Sequence, residues 1–207
     1  MTQILRVHPV NPQARLLAQA AAALIEGGVI VYPTDSSYAL ACTAGDKAAL
    51  DRIRRLRGTD LDHEFTLVCR DLSEIATYAR VDNSAYRLIK SLTPGPYTFI
   101  LKATGETPKR LRDPKRKTVG IRVPDHPVSQ ALLDQIGSPV LSSTLMLAGD
   151  DMPLTDADEI LDRIGKQVEL IVDAGAGGIE PTTVIDLSSG EASVLRKGKG
   201  SVDFLER

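Results

Sequence analysis

The stretch from Gln13 to Tyr32 constrains this chain more than any other. QARLLAQAAAALIE carries apolar residues at helical spacing, with Leu16, Leu17, Ala20, Ala23 and Leu24 on one face. Asn11-Pro12 precedes it as a start signal, and Gly27-Gly28 stops it. Val29 to Tyr32 then reads as a buried strand. The alternation continues. Asp46 opens a helix with Leu50, Ile53 and Leu56 inward and the arginines outward. Phe65 to Cys69 reads as a strand, 72–78 and 83–90 as helices, and Tyr97 to Lys102 as a strand of high β propensity. Thr118 to Val123 is a further strand, ended by Pro124. A helix over 126–136 stops at Gly137, and Pro139 to Ser143 is a strand with a polar end. Thr155 to Glu159 resembles a capping box before a helix over 156–165. Strands at 168–172, 182–187 and 192–196 complete the pattern. Helices and strands alternate first, and strands dominate the last third. That order predicts an α/β fold with a mixed, twisted open sheet flanked by helices, rather than a purely doubly wound one.

Composition narrows the function. The chain has 207 residues, of which 43% are hydrophobic, enough for a compact α/β domain with a real core. No apolar run approaches the ~20 residues needed to span a bilayer. The N-terminal MTQILRVHP lacks the features of a secretory signal. Cys42 and Cys69 show no CxxC spacing, so neither a disulfide framework nor a zinc site is indicated. A cytoplasmic protein without membrane partners is the expectation. The 25 basic and 27 acidic residues give a net charge of −2, which argues against nonspecific coating of DNA. Bases nevertheless cluster, in KRLRDPKRK at 109–117, at Arg52, Arg54, Arg55 and Arg57, and at Arg196, Lys197 and Lys199. Such patches suit either solvated surfaces or a confined anionic ligand such as phosphate.

Four short motifs fall at strand ends, where open α/β sheets place ligands. Thr34-Asp35-Ser36-Ser37 crowds hydroxyls and a carboxylate together. Taken alone it reads as an Asx/ST turn with Ser37 or Asp35 capping a helix, although its hydroxyls also suit a phosphate, carboxylate or amine. Pro94-Gly95-Pro96 stiffens a loop ahead of Thr98, either as a rigid connection or as a fixed pocket wall. Arg122 sits between apolar neighbours in a strand, so it points outward or is held against a carboxylate or phosphate. Ser142-Ser143-Thr144 ends another strand with three hydroxyls. His8, His63 and His126 are scattered and give no metal site by histidine alone. GxGxxG, the Walker motif and GxSxG are all absent.

In this order the motifs Tyr32-Pro33-Thr34-Asp35-Ser36-Ser37-Tyr38, Pro94-Gly95-Pro96-Tyr97-Thr98, Arg122-Val123-Pro124-Asp125-His126 and Pro181-Thr182-Thr183-Val184-Ile185-Asp186 resemble the YrdC/YciO family, closest to its YciO branch. Each is short; four in order are specific. The resemblance implies a single YrdC-like domain over residues 10–200, with a twisted open sheet and a concave, positively charged face. It implies chemistry like that of the threonylcarbamoyladenylate synthases. These make L-threonylcarbamoyladenylate from L-threonine, bicarbonate and ATP with Mg²⁺, for modification of tRNA, with no tightly bound cofactor. Carried over residue by residue, Thr34, Ser36, Tyr38, Arg122 and Thr182 bind the amino-acid substrate. Arg55, Arg57, Ser143 and Arg196 bind the nucleotide. No residue is singled out as catalytic. The alternative is a tRNA- or double-stranded-RNA-binding protein without synthase activity, using Arg110, Lys115, Arg116 and Lys117. The sequence departs from the synthase pattern in places. The Lys-x-Arg pair that grips phosphates there reads here either as Arg55-x-Arg57 or as Arg57-x-Thr59. Leu145 replaces an asparagine, Cys69 a histidine, and Ala39 and Ala41 glycines.

Overall fold

Local signals place the helices. The computed structural model describes residues 2–59 and 65–205. Its helices are α1 (Ala14–Ile25), α2 (Lys47–Arg57), α3 (Leu72–Tyr78), α4 (Asn83–Leu92), α5 (Pro127–Ile136) and α6 (Ala157–Ile164). Asp46, Asp71, Asp82 and Asp156 cap α2, α3, α4 and α6, each accepting a backbone N–H of the first turn at 2.8–3.0 Å. Helix α5 begins at Pro127, where no amide hydrogen is needed. Gly58 ends α2 with φ +61°, and a Cβ there would lie 2.6 Å from that of Ala148. Both conformation and space therefore demand glycine.

The strands are β1 (Gln3–Arg6), β2 (Ile30–Pro33), β3 (Tyr38–Thr43), β4 (Thr66–Val68), β5 (Ala79–Arg80), β6 (Tyr97–Ala103), β7 (Thr118–Arg122), β8 (Val140–Thr144), β9 (Leu170–Asp173), β10 (Thr183–Asp186) and β11 (Ser193–Arg196). They form one sheet in the order β1-β9-β2-β3-β8-β4-β7-β6-β10-β11, with β5 on the side of β6. The β1–β9, β2–β9, β4–β7 and β6–β10 pairs are parallel and the others antiparallel, so the sheet is mixed. Among the described residues no helix is long and apolar enough to cross a membrane.

Three strands, β1, β3 and β5, are additional to the sequence reading, and β3 corrects it. No helix follows Thr34–Ser37. The turn joins β2 to β3 as an antiparallel hairpin, with Pro33 opposite Tyr38 and Ile30 opposite Ala41. Tyr38-Ala-Leu-Ala-Cys-Thr43 has no strong strand signature of its own. Pairing on both sides, with β2 and β8, and burial on both faces override its alanines.

Helices α2, α3, α4 and α6 cover one face of the sheet, burying Leu50, Ile53, Ile75, Ile89 and Ile160 against Leu40, Leu67, Phe99, Ile121 and Leu141. On the opposite face α1 and α5 pack Leu17, Leu24, Val128 and Leu132 against Ile30, Tyr32, Ala39, Ala41, Val68 and Val140. Among the described residues no helix covers the remainder of that second face. The sheet also curls. Seven strand spacings separate β9 from β10, about 34 Å along a flat sheet. Residues 174–182 bridge them and would need to be almost fully extended to do so. The segment instead crosses over the hairpin turn, held by Gly175 and Gly177 backbone bonds to Tyr38 and Thr155. At Gly178 the backbone passes so close to the Ser36 carbonyl that a side chain would collide with it.

Candidate functional site

The uncovered part of the second face is a cavity of about 240 Å³, room for a small organic ligand rather than a lone ion. Its floor comes from alternate residues of adjacent strands: Ala39, Ser142 and Thr144, Thr66, Gly120, Ile100 and Val184. Registers place them side by side, with Ala39 opposite Thr144, Thr66 opposite both Ser142 and Gly120, and Gly120 opposite Ile100. Three arginines stand around this floor.

Arg122 ends β7 and is 8% exposed. Its Nη2 pairs with Asp35, and its Nη1 donates to Ser36 Oγ at 3.3 Å. Asp35 also accepts the Asp125 amide hydrogen at 2.8 Å. Arg122 Nε is buried with no partner among the described residues. Thr34 is the keystone of the turn. Its Oγ1 donates to the Ser37 carbonyl at 2.7 Å and accepts from the Ser36 and Ser37 amides, each at 3.2 Å. Turn chemistry therefore explains Thr34, and the same turn brings Asp35 and Ser36 to Arg122. The ammonium of Lys199 donates to the Asp35 carbonyl and ties the C-terminal segment to this edge.

On the opposite wall, Arg196 donates from Nε and Nη2 to the Thr182 carbonyl at 3.1 and 3.0 Å, and from Nη2 to Thr182 Oγ1 at 3.1 Å. Thr182 and Thr98 hydroxyls meet at 2.9 Å. Arg57, at the end of α2, donates to Ser143 Oγ and, at 3.4 Å, to the Met146 carbonyl. Burial lowers the pKa of both Arg57 and Arg196, the mark of guanidinium groups withdrawn from water.

Of the sequence-derived candidates, Thr34, Arg57, Arg122, Ser143, Thr182 and Arg196 line this one cavity, and Ser36 stands at its edge on Arg122. Two lie elsewhere. Arg55 is exposed on the other side of α2, because residues two apart on a helix diverge by about 200°. The alternative with Arg57 as the phosphate-facing member is the one that points a base into the cavity. Tyr38 is wholly buried in the opposite core, with its hydroxyl 2.7 Å from the Gly175 carbonyl and 3.2 Å from Asp173 Oδ1. Burial raises its pKa. Leu145 also faces that core and takes no part in the lining. Sequence reasoning noticed Ser142 and Thr144 only as part of a hydroxyl-rich strand end, and assigned no role to Thr66 and Gly120. Their signal was small or polar residues recurring at every second position of neighbouring strands.

The basic stretch 109–117 lies in the connection from β6 to β7, at the end of those strands remote from Arg122. Arg110, Lys115, Arg116 and Lys117 are exposed. Arg116 pairs with Asp186 and reaches Ser188 Oγ at 3.1 Å. Arg112 folds back on the Thr107 and Gly105 carbonyls and fastens its own loop. His63 lies outside the described residues.

Among the described residues no three His, Cys, Asp or Glu side chains come together. Asp35, the carboxylate at the cavity edge, already holds Arg122 and a backbone amide. Cys42 and Cys69 are buried free thiols, and burial pushes Cys42 up to about 12.

A curled mixed sheet, half roofed by helices on one face, whose open half gathers arginines and hydroxyls, defines an α/β protein with a polar, arginine-lined cavity. The chain belongs to the Sua5/YciO/YrdC family, whose model, described as telomere recombination, matches residues 22–198. It is 54% identical to YciO of Escherichia coli over 202 residues, 98% of each chain. The E. coli YciO crystal structure superposes with a TM-score of 0.93. A threonylcarbamoyl-AMP synthase of Chromohalobacter salexigens is 31% identical over 176 residues, 84% of this chain and 94% of that one. The fold is also that of P. abyssi Sua5, crystallised with L-threonine, at a TM-score of 0.89 and 24% identity, covering 99% of this chain and 60% of that one.

Proposed function

We propose that the cavity binds an adenine nucleotide through its phosphates together with a small amino-acid carboxylate, and that it carries chemistry of the threonylcarbamoyl-AMP synthase type. One observation carries this reading: the guanidinium groups of Arg57, Arg122 and Arg196 line one cavity together with the hydroxyls of Thr98, Ser143 and Thr182. Guanidinium and hydroxyl donors converging on one cavity suit the oxygens of an anionic ligand. The relationship to threonylcarbamoyl-AMP synthases supports the choice of ligand.

In that chemistry carbon dioxide from bicarbonate joins the threonine nitrogen, and a proton leaves, giving a carbamate. A carbamate oxygen attacks the α-phosphorus of ATP. The new O–P bond forms as the bond to the bridging oxygen breaks, and pyrophosphate departs. Little protein acid–base chemistry is needed. The protein has to hold the carbamate in line and neutralise the phosphates. Arg57 and Arg196 take the phosphate charge, with Ser143 and Thr182 as neutral donors. Arg122 and Ser36 take the amino-acid carboxylate, on a turn that Thr34 holds in shape. Magnesium enters with ATP as part of the substrate.

The test incubates the protein with ATP, Mg²⁺, bicarbonate and labelled L-threonine. Pyrophosphate release that depends on both threonine and bicarbonate, together with a labelled carbamoyl-adenylate, is the expected result. No product where a family synthase turns over under the same conditions rejects this substrate set.

A second reading rests on the exposure of Lys109, Arg110, Lys115 and Lys117 in one loop. It makes this loop a contact for the phosphates of tRNA or double-stranded RNA, working in the cytoplasm. Binding would then weaken steeply with salt. Affinity that is absent, or indifferent to salt, removes it.

A further inference from the structure

Tyr32 and Ser142 form a hydroxyl pair that the roles above leave unused. Tyr32 belongs to β2 and is 1% exposed, with its ring packed in the core beneath α1 and α5. Its hydroxyl lies 3.0 Å from Ser142 Oγ on the cavity floor. The two residues are not on neighbouring strands, since β3 runs between β2 and β8. Tyr32 is opposite Ala39, and Ala41 is opposite both Ile30 and Ser142. The phenol therefore crosses β3 diagonally, and the small side chains of Ala39 and Ala41 leave it room to do so.

The direction of this bond follows from bookkeeping of protons. Ser142 Oγ is the only acceptor that the Tyr32 hydroxyl finds among the described residues. If Ser142 donated instead, the phenol proton would be left unpaired inside the core, which native structures avoid. Burial raises the pKa of Tyr32, so the phenol keeps its proton to give. A serine hydroxyl has one proton and two lone pairs. With a lone pair taken by Tyr32, and no acceptor for its own proton among the described residues, Ser142 faces the cavity as a donor.

We infer that Ser142 is a ligand-binding residue, and that Tyr32 is the positioning residue that makes it a hydrogen-bond donor to an anionic oxygen of the ligand. The inference rests on the proposed function for the nature of that oxygen, a phosphate or carboxylate.

A double-mutant cycle tests it. Affinities of the wild type, Tyr32→Phe, Ser142→Ala and the double variant are measured calorimetrically for ATP and, separately, for inorganic pyrophosphate and for L-threonine as the carboxylate probe. Thermal unfolding of each variant confirms that it is folded. Tyr32→Phe is expected to weaken binding about threefold to fivefold and Ser142→Ala about fivefold to tenfold. The double variant should be no weaker than Ser142→Ala alone, because Tyr32 acts only through Ser142. A purely packing role for Tyr32 makes the losses multiply, and that result overturns the inference, as does unchanged affinity for every probe in Tyr32→Phe. Failure of the wild type to bind ATP while it binds pyrophosphate or L-threonine defeats the nucleotide reading, and the cycle with the bound probe still decides this one. If the wild type binds none of the three, both fall.

Discussion

Two halves of one sheet face behave in opposite ways. Beneath α1 and α5 the face shows Ile30, Ala41, Val68 and Val140; beyond those helices it shows Thr66, Gly120, Arg122, Ser142 and Thr144. The change occurs within single strands. On β8, Val140 is under the helices and Ser142 and Thr144 are in the cavity; on β4, the same is true of Val68 and Thr66. Roofing by a helix makes apolar burial favourable, whereas an open concavity tolerates hydroxyls and guanidinium groups because ligand or water can satisfy them. The site is therefore a place where the core was left unfinished, and the polar residues of its floor are strand residues beyond the cover of α1 and α5.

The sharpest break of this contrast is Arg122→Met. It leaves the Asp35 carboxylate, only 7% exposed, without its cation. Loss of about 3–5 kcal/mol of unfolding free energy is expected in denaturant titrations, together with loss of ligand binding. A paired exchange along β8 comes next. Val140→Thr puts a hydroxyl under α5 and should cost about 1–3 kcal/mol, whereas Thr144→Val should change stability by less than about 0.5 kcal/mol while weakening the ligand. Similar costs for both would mean that the two halves are not distinct environments.

Within α2, Arg57→Ala should reduce nucleotide affinity about tenfold, and Arg55→Ala should leave it unchanged in the same calorimetric titration. Equal effects would place both bases at the ligand and contradict the helix geometry. The smallest expected effect belongs to His126, next to Asp35, Asp125 and Lys199. Burial holds its pKa below the ordinary imidazole value, with the two carboxylates opposing that shift. Between the folded and the ordinary value the unfolded chain binds the extra proton. Stability should therefore decline as pH falls below about 6.5, with a shallower decline in His126→Asn. Unfolding free energies from pH 7.5 to 5 measure it, and an identical slope in both proteins would exclude the histidine as the cause.

Much of the architecture was readable in the chain because its causes are local. Asp46 and the capping box at Thr155 to Glu159 announced two helix starts, and Asp46 and Asp156 are engaged as caps. β-branched and aromatic runs announced β6 and β7. Strand β3 was not readable, since Tyr-Ala-Leu-Ala-Cys-Thr becomes a strand only between two partners. The motif residues Thr34, Arg122, Ser143 and Thr182 were legible as a group, but their division of labour was not. Thr34 lines the cavity and at the same time holds its own turn in shape. Tyr38 belongs to the same motif, but it stands one residue before Ala39 of the cavity floor on β3, and successive strand side chains point to opposite faces, so it enters the opposite core.

The sequence by itself determined the helices, most strands, the mixed character of the sheet and the family. These follow from short-range periodicity, capping and ordered motifs. Only the tertiary structure decided which strands pair, how the sheet curls beneath the 174–182 crossing, and where the helical roof stops. It alone put Arg57 in the cavity and Arg55 outside it, and let Tyr32 reach Ser142 over two alanines. Those outcomes depend on contacts between residues far apart in the chain, and no local pattern encodes which residues will meet.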